Sequence, residues 1–235
     1  MLLLEGLELQ VGGFRLSADL SVQAGARVAV IGPSGAGKST LLSAIAGYQP
    51  TTKGRVTWAG RDITGDEPGA RPLSIVFQDN NLFPHLTVAQ NVGLGLSPSL
   101  RLSADQQERV ADSLARVGLP GLGDRKPAQL SGGQQSRVAL ARVLLRARPL
   151  MLLDEPFAAL GPALKAEMLD LVKEVAAETG AAVLMVTHDP DDARRLGGQT
   201  ILVDGGRAEA PQDTDALLAD PPPGLRAYLR GDGAD

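Results

Sequence analysis

The stretch "GPSGAGKST", Gly32 to Thr40, spaces glycines, a lysine and two hydroxyls as a phosphate-binding loop requires. In such a loop, formed here by Gly32, Pro33, Ser34, Gly35, Ala36 and Gly37, the glycines let backbone amides turn inward around phosphate oxygens, Pro33 itself having no N–H to donate. Lys38 reaches toward the β and γ oxygens, Ser39 can bind magnesium, and Thr40 leads into a helix whose dipole favours an anion. A second group is "LMLLDEP", where four apolar residues run into Asp154 and Glu155. At the end of a buried strand beside a phosphate loop, Asp154 is suited to magnesium, and Glu155 to orienting and polarising an attacking water. A third is "LSGGQQSRVALARVLLRA", Leu130 to Ala147. Here Ser131, Gly132 and Gly133 open a helix with an apolar stripe at Val138, Ala141, Leu144 and Leu145. One phosphate loop and a second anion-binding helix end in the same chain point to a head-to-tail pair, with two nucleotides at its seam. The phosphate loop alone does not separate kinases, GTPases, recombinases and transport ATPases.

These groups need elements to hold them. "RVAVIG", "LSIVFQ", "PLMLLDE", "AVLMVTHD" and "TILVDGG" are apolar at nearly every position, which predicts strands covered on both faces, as in a parallel sheet between helices. Functional groups then gather at the carboxyl ends of the strands, where the phosphate loop, Gln78, Asp154, Glu155 and His188 fall. "LLEGLELQ", "FRLSADLSV" and "GRVTWAGRDI" alternate more and predict a small antiparallel sheet, with Trp58 as packing. From about Thr87 to Ala147 the pattern is helical. "SADQQERVADSLARVGL" carries a capping box at Ser103 and Gln106, puts Val110, Leu114 and Val117 on one face, and stops at Gly118. The tail from Asp204 reads as short and turn-rich, and His85 as a loop residue without chemistry.

The chain has 235 residues, enough to bury a full core. Its net charge of -4 provides no overall basic field, so nucleic acid is not an expected partner. It contains no cysteine, which excludes disulfides and thiolate metal sites. "MLLLEGLELQ" lacks the basic region of a signal peptide, and no apolar stretch approaches the roughly 20 residues a membrane span needs. A cytoplasmic protein is therefore expected.

In order along the chain, "GPSGAGKST", Gln78, "LSGGQ", "LLDEP" and His188 resemble the phosphate loop, glutamine loop, signature motif, magnesium strand and switch histidine of the ATP-binding cassette family. The resemblance covers essentially the whole chain. It implies one α/β cassette with a P-loop NTPase (RecA-like) core, a small antiparallel β subdomain and an inserted α-helical subdomain. The core would span about 1–86 and 148–235, and the helical part about 87–147.

The resemblance further implies ATP and Mg2+ as cofactors, with Ser39, Gln78 and Asp154 at the metal and Glu155, His188 and Gln78 in catalysis. Ser131, Gly132, Gly133 and Gln134 would meet the nucleotide of a second copy. The implied partners are a second cassette, a transmembrane permease and, indirectly, a periplasmic solute-binding protein, at the cytoplasmic face of the cell membrane. Within the family, "QDNNLFPHLTVAQNVGLGLSPSL" and "VLMVTHDPDDARRL" are similar to the ATPase subunits of bacterial thiamine importers. Iron, sulfate, molybdate and polyamine importers carry similar cassettes, and soluble cassettes in DNA repair or translation form the rival class. Two positions depart from the family. Val11 stands where an adenine-stacking aromatic is usual, with Phe14 nearby as a strand core residue, and Gly161 stands where an aspartate usually communicates across the dimer seam.

Overall fold

The computed structural model describes residues 1–230. Five parallel strands form its centre: β3 (Arg27–Ile31), β6 (Leu73–Val76), β7 (Leu150–Asp154), β8 (Ala182–Val186) and β9 (Gln199–Asp204). Their spatial order is β9-β3-β8-β7-β6, so β8 lies between the strand of the phosphate loop and the strand of the two acids. Every residue of β7 and of β8 is buried, which explains why these runs show no polar alternation. "LSIVFQ" stops pairing at Val76, and Gln78 lies in the loop beyond it.

The antiparallel sheet is built from β1 (Leu2–Val11), β2 (Phe14–Val22), β4 (Lys53–Trp58) and β5 (Arg61–Asp62). Sequence patterning treats it as separate from the parallel sheet, yet the two are joined. A two-residue strand, β10 (Arg207–Ala208), pairs parallel with β2 and antiparallel with β9. A further short strand, β11 (Gln212–Asp213), lies against β9. Pieces this short carry no period of their own. One core cluster fills the space between the antiparallel sheet and α1 (Lys38–Ala46), including Leu41, Leu42 and Ile45. Each such burial stabilises by roughly 1.5 to 3 kcal/mol.

Between β6 and β7 the chain forms α2 (Val88–Gly93), α3 (Ala104–Arg116) and α4 (Gly132–Arg146), joined by irregular segments. Both halves of the Ser103–Gln106 capping box are present, and Val110, Leu114 and Val117 are buried. These residues join α5 (Pro162–Thr179) and α6 (Pro190–Leu196) in the second core cluster. The tail differs from its turn-rich reading, since it folds into α7 (Thr214–Ala219) and α8 (Pro223–Arg230). Asp213 caps α7, and Leu217, Leu218 and Leu225 bury against the core. Helices of six and eight residues are too short for a visible period and are held by this packing. No helix of the described residues is long and apolar enough to cross a membrane.

Candidate active site

The loop after β3 reaches the N-terminus of α1, whose cap residue is Gly37 in the left-handed region, with no side chain satisfying the first amides. Two close approaches require glycine here. A Cβ on Gly32 would collide with the Val203 carbonyl, and one on Gly37 would meet the Phe14 ring at 2.8 Å. The Lys38 ammonium is buried and donates to the carbonyls of Gly32 and Pro33, each at 2.8 Å. Burial pushes its pKa down, while the charges of Glu155 and Asp154 oppose that shift.

Ser39 donates its hydroxyl to Asp154 Oδ1 at 3.0 Å, across 115 positions of sequence. Burial raises the Asp154 pKa; the Ser39 hydrogen bond and Lys38 work against this, and the neighbouring Glu155 adds to it. Glu155 itself has φ 45°, a left-handed conformation that costs a residue with a side chain free energy, and its amide donates to the Val186 carbonyl at 3.2 Å. Its carboxylate stands 3.5 Å from His188 Nδ1. Gln78 and Glu155 line one cavity of about 450 Å³ together with Ser34, Gly35, Gly37, Lys38, Ser39 and Thr40. Gln78 also shares a shallower opening with Ser39 and Asp154. Val11 and Phe14 sit at the margin of the larger cavity, Val11 exposed and Phe14 half-buried.

Ser131, Gly132, Gly133 and Gln134 do not line that cavity. They form the start of α4, where Ser131 Oγ accepts from the Gln134 amide and Gln134 Oε1 accepts from the Ser131 amide. Gly133 packs so closely on the loop after the acids that a Cβ would meet Leu160 at 2.8 Å. His85 is exposed and stacks edge-on against Phe83, outside the phosphate-loop cavity.

A family profile described as ABC transporter matches residues 16–158, more than half the chain. The chain belongs to the ABC transporter family. This cassette is 66% identical over 229 residues to the thiamine import ATP-binding protein ThiQ of Cereibacter sphaeroides, covering 97% of this chain and 99% of that protein. It is 61% identical to the protein of the same name from a Ruegeria species, again over 97% and 99% of the two chains. Among solved structures, it superposes with a TM-score of 0.82 on an ATP-binding cassette in a dimeric post-hydrolysis state bound to ADP and Pi. That pair is 32% identical, covering 91% of this cassette and 99% of the other. A nucleotide-free ATP-binding cassette from an ABC transporter matches with a TM-score of 0.85 at 27% identity, over 97% and 98% of the chains.

Two arginines that motif reading passes over support the site of this cassette. Arg71, buried after a short 3-10 turn, donates to the carbonyls of Ala44 and Ile45 at the end of α1, and to those of Thr64 and Asp66. It closes the C-terminus of the phosphate-loop helix from 27 positions away. Arg142 on α4 donates to the carbonyls of Asn80 and Asn81, tying the signature helix to the loop that carries Gln78. No sequence signal marks either: Arg71 follows the charged, turn-rich "GDEPGA", and Arg142 is one of several arginines along α4.

Proposed function

We propose that this cassette is the ATP-hydrolysing subunit of a bacterial thiamine importer, working as a homodimer on the cytoplasmic face of the cell membrane. The observation that carries hydrolysis is the convergence of Lys38, Ser39, Gln78, Asp154, Glu155 and His188 at the ends of adjacent parallel strands. Support for thiamine comes from relatives of that name, matched over nearly their whole length.

The amides at the start of α1 and the Lys38 ammonium bind the nucleotide phosphates and neutralise their charge. Oxygen donors from Ser39, Asp154 and Gln78 suit Mg2+, a hard cation, which when bound shields the β and γ phosphates. Glu155 orients a water and accepts its proton as the water attacks the γ phosphorus, releasing ADP and phosphate. His188, next to Glu155, holds the γ-phosphate oxygens and the water in line. Ser131 and Gly133 do not line their own chain's cavity, so a second copy would present them to the same nucleotide. ATP then favours the closed pair because both chains bind it there.

A groove between the core and α2–α4 is lined by Tyr48, Phe77, Phe83, Leu94, Arg142 and Arg146. Tyr48 and Phe83 are two of the four large exposed hydrophobics among the described residues. We assign this groove to a cytoplasmic segment of the permease. Phe83→Asp should abolish co-purification with the permease and leave intrinsic hydrolysis intact; retained co-purification would remove the groove from the interface.

Glu155→Gln tests the catalytic reading. It should bind ATP normally, hydrolyse it more than about a hundredfold more slowly and accumulate as a dimer. Normal turnover would disprove the role of Glu155. For the substrate, the reconstituted transporter with its solute-binding protein should be stimulated by thiamine; stimulation by iron, sulfate, molybdate or a polyamine instead would replace it.

A further inference from the structure

Three elements hold the segment that carries His188. Asp189 caps α6 by accepting from the Asp191 amide at 2.9 Å. Lys165, from the first turns of α5, reaches Asp189 at 2.5 Å and Asp192 at 2.9 Å. Thr187 donates to Asp192 at 2.8 Å and accepts from the Asp189 amide at 3.1 Å. The last tie comes from the far end of the chain. Tyr228 on α8 donates its hydroxyl to the backbone carbonyl of His188 at 3.0 Å, across 40 positions.

Packing alone does not need that hydroxyl. Leu225, fully buried, seats α8 on the main core, with the body of Tyr228 and with Leu229 beside it. Burial raises the Tyr228 pKa, and the charges of Glu155 and Asp189 raise it further, so the side chain remains a hydroxyl donor at neutral pH. The carbonyl it holds belongs to the peptide that follows His188. Fixing that peptide fixes ψ of residue 188 and so limits the directions open to the imidazole. The imidazole is itself 60% exposed and has Glu155 as its near neighbour, 3.5 Å away.

We propose that Tyr228 is a positioning residue for ATP hydrolysis: the C-terminal helix, through the His188 carbonyl, aims the His188 side chain toward Glu155. This rests on the role given to His188 above. Tyr228 touches neither nucleotide nor water in this scheme. The bond lies at an exposed edge where water can replace it, so its loss should change the aim of His188 more than the stability of the fold.

The test is a double-mutant cycle on the full-length chain, with Tyr228→Phe, His188→Ala and the pair, read by single-turnover ATP hydrolysis, ATP affinity and thermal unfolding. Tyr228→Phe keeps the ring in place. It should slow hydrolysis about three- to tenfold, the range one net hydrogen bond supplies, with ATP affinity within about twofold and an unchanged melting temperature. In the His188→Ala background the same substitution should change the rate by less than about twofold, because the residue it acts through is gone. Equal slowing in both backgrounds, or no slowing in the parent chain, overturns the proposal while leaving His188 its role. A His188→Ala chain that hydrolyses at the parent rate removes both.

Discussion

Gly161 opens α5 with φ −68° and ψ 160°, the extended geometry of an N-cap, but has no side chain to accept a bond from the helix. Pro162 removes one orphan donor, leaving the amides of Ala163 and Leu164 facing the cap. A Cβ at Gly161 meets no atom within 4 Å, so Gly161→Asp introduces no clash. The new carboxylate would accept from those amides and lie at the positive end of the helix dipole. Relative to glycine this is worth roughly a few tenths of a kcal/mol for the cap and about 0.3 or more for the charge. Restricting the unfolded backbone adds about 0.4 to 1 kcal/mol. The sum is about 1 kcal/mol. At about 2.1 cal/mol/K per residue, unfolding a chain of 235 residues releases about 0.5 kcal/mol/K, so the melting temperature should rise by about 2 °C. Gly161→Ala is the control, since it restricts the unfolded chain but cannot cap. Thermal unfolding of the nucleotide-free variants side by side should place Gly161→Asp above both parent and Gly161→Ala. Equal melting of the two variants, or a lower value for Gly161→Asp, would refute the capping argument. In steady-state hydrolysis the same variant should alter the Hill coefficient for ATP and not the affinity; an unchanged coefficient makes the bare position a harmless variation at the seam.

Arg71→Ala removes the guanidinium from four carbonyls, two at the end of the phosphate-loop helix and two at Thr64 and Asp66, and should destabilise by about 3 kcal/mol in chemical denaturation; a loss under about 1 kcal/mol would show that solvent replaces the guanidinium. Asp154 is an acid whose pKa is raised in the folded state, so its contribution is most favourable below its unfolded value and is lost as pH rises through the folded one. Asp154→Asn should therefore melt higher than the parent at neutral pH without nucleotide or metal, with the gain shrinking as pH falls toward 3.8; a gain independent of pH would exclude this cause. Val11 is exposed at the margin of the phosphate-loop cavity, so the parent should prefer ATP over GTP only modestly, and Val11→Tyr should tighten ATP binding by about 1 to 3 kcal/mol. A parent preference above roughly a hundredfold in competition binding would show that another residue reads the base.

The sequence by itself determined whatever depends on near neighbours. The phosphate loop, the capping box at Ser103 and the continuous apolar strands are legible because residues a few positions apart define both the local geometry and the chemistry. It also made plain that Ser131 opens a helix, and that Gly161 is bare. Tertiary structure alone decided the contacts that join distant segments. Inserting β8 between β3 and β7 brings His188 beside Glu155, and the strand order lets Ser39 reach Asp154 across 115 positions. The short strand β10 welds two sheets that read as separate, and the tail becomes helical because Leu217, Leu218 and Leu225 find a core to cover. The roles of Arg71, Arg142 and Tyr228 are equally invisible beforehand. Each rests on a hydrogen bond to a backbone carbonyl, an acceptor almost every residue offers, so no residue type marks the partner and only the folded path of the chain selects it.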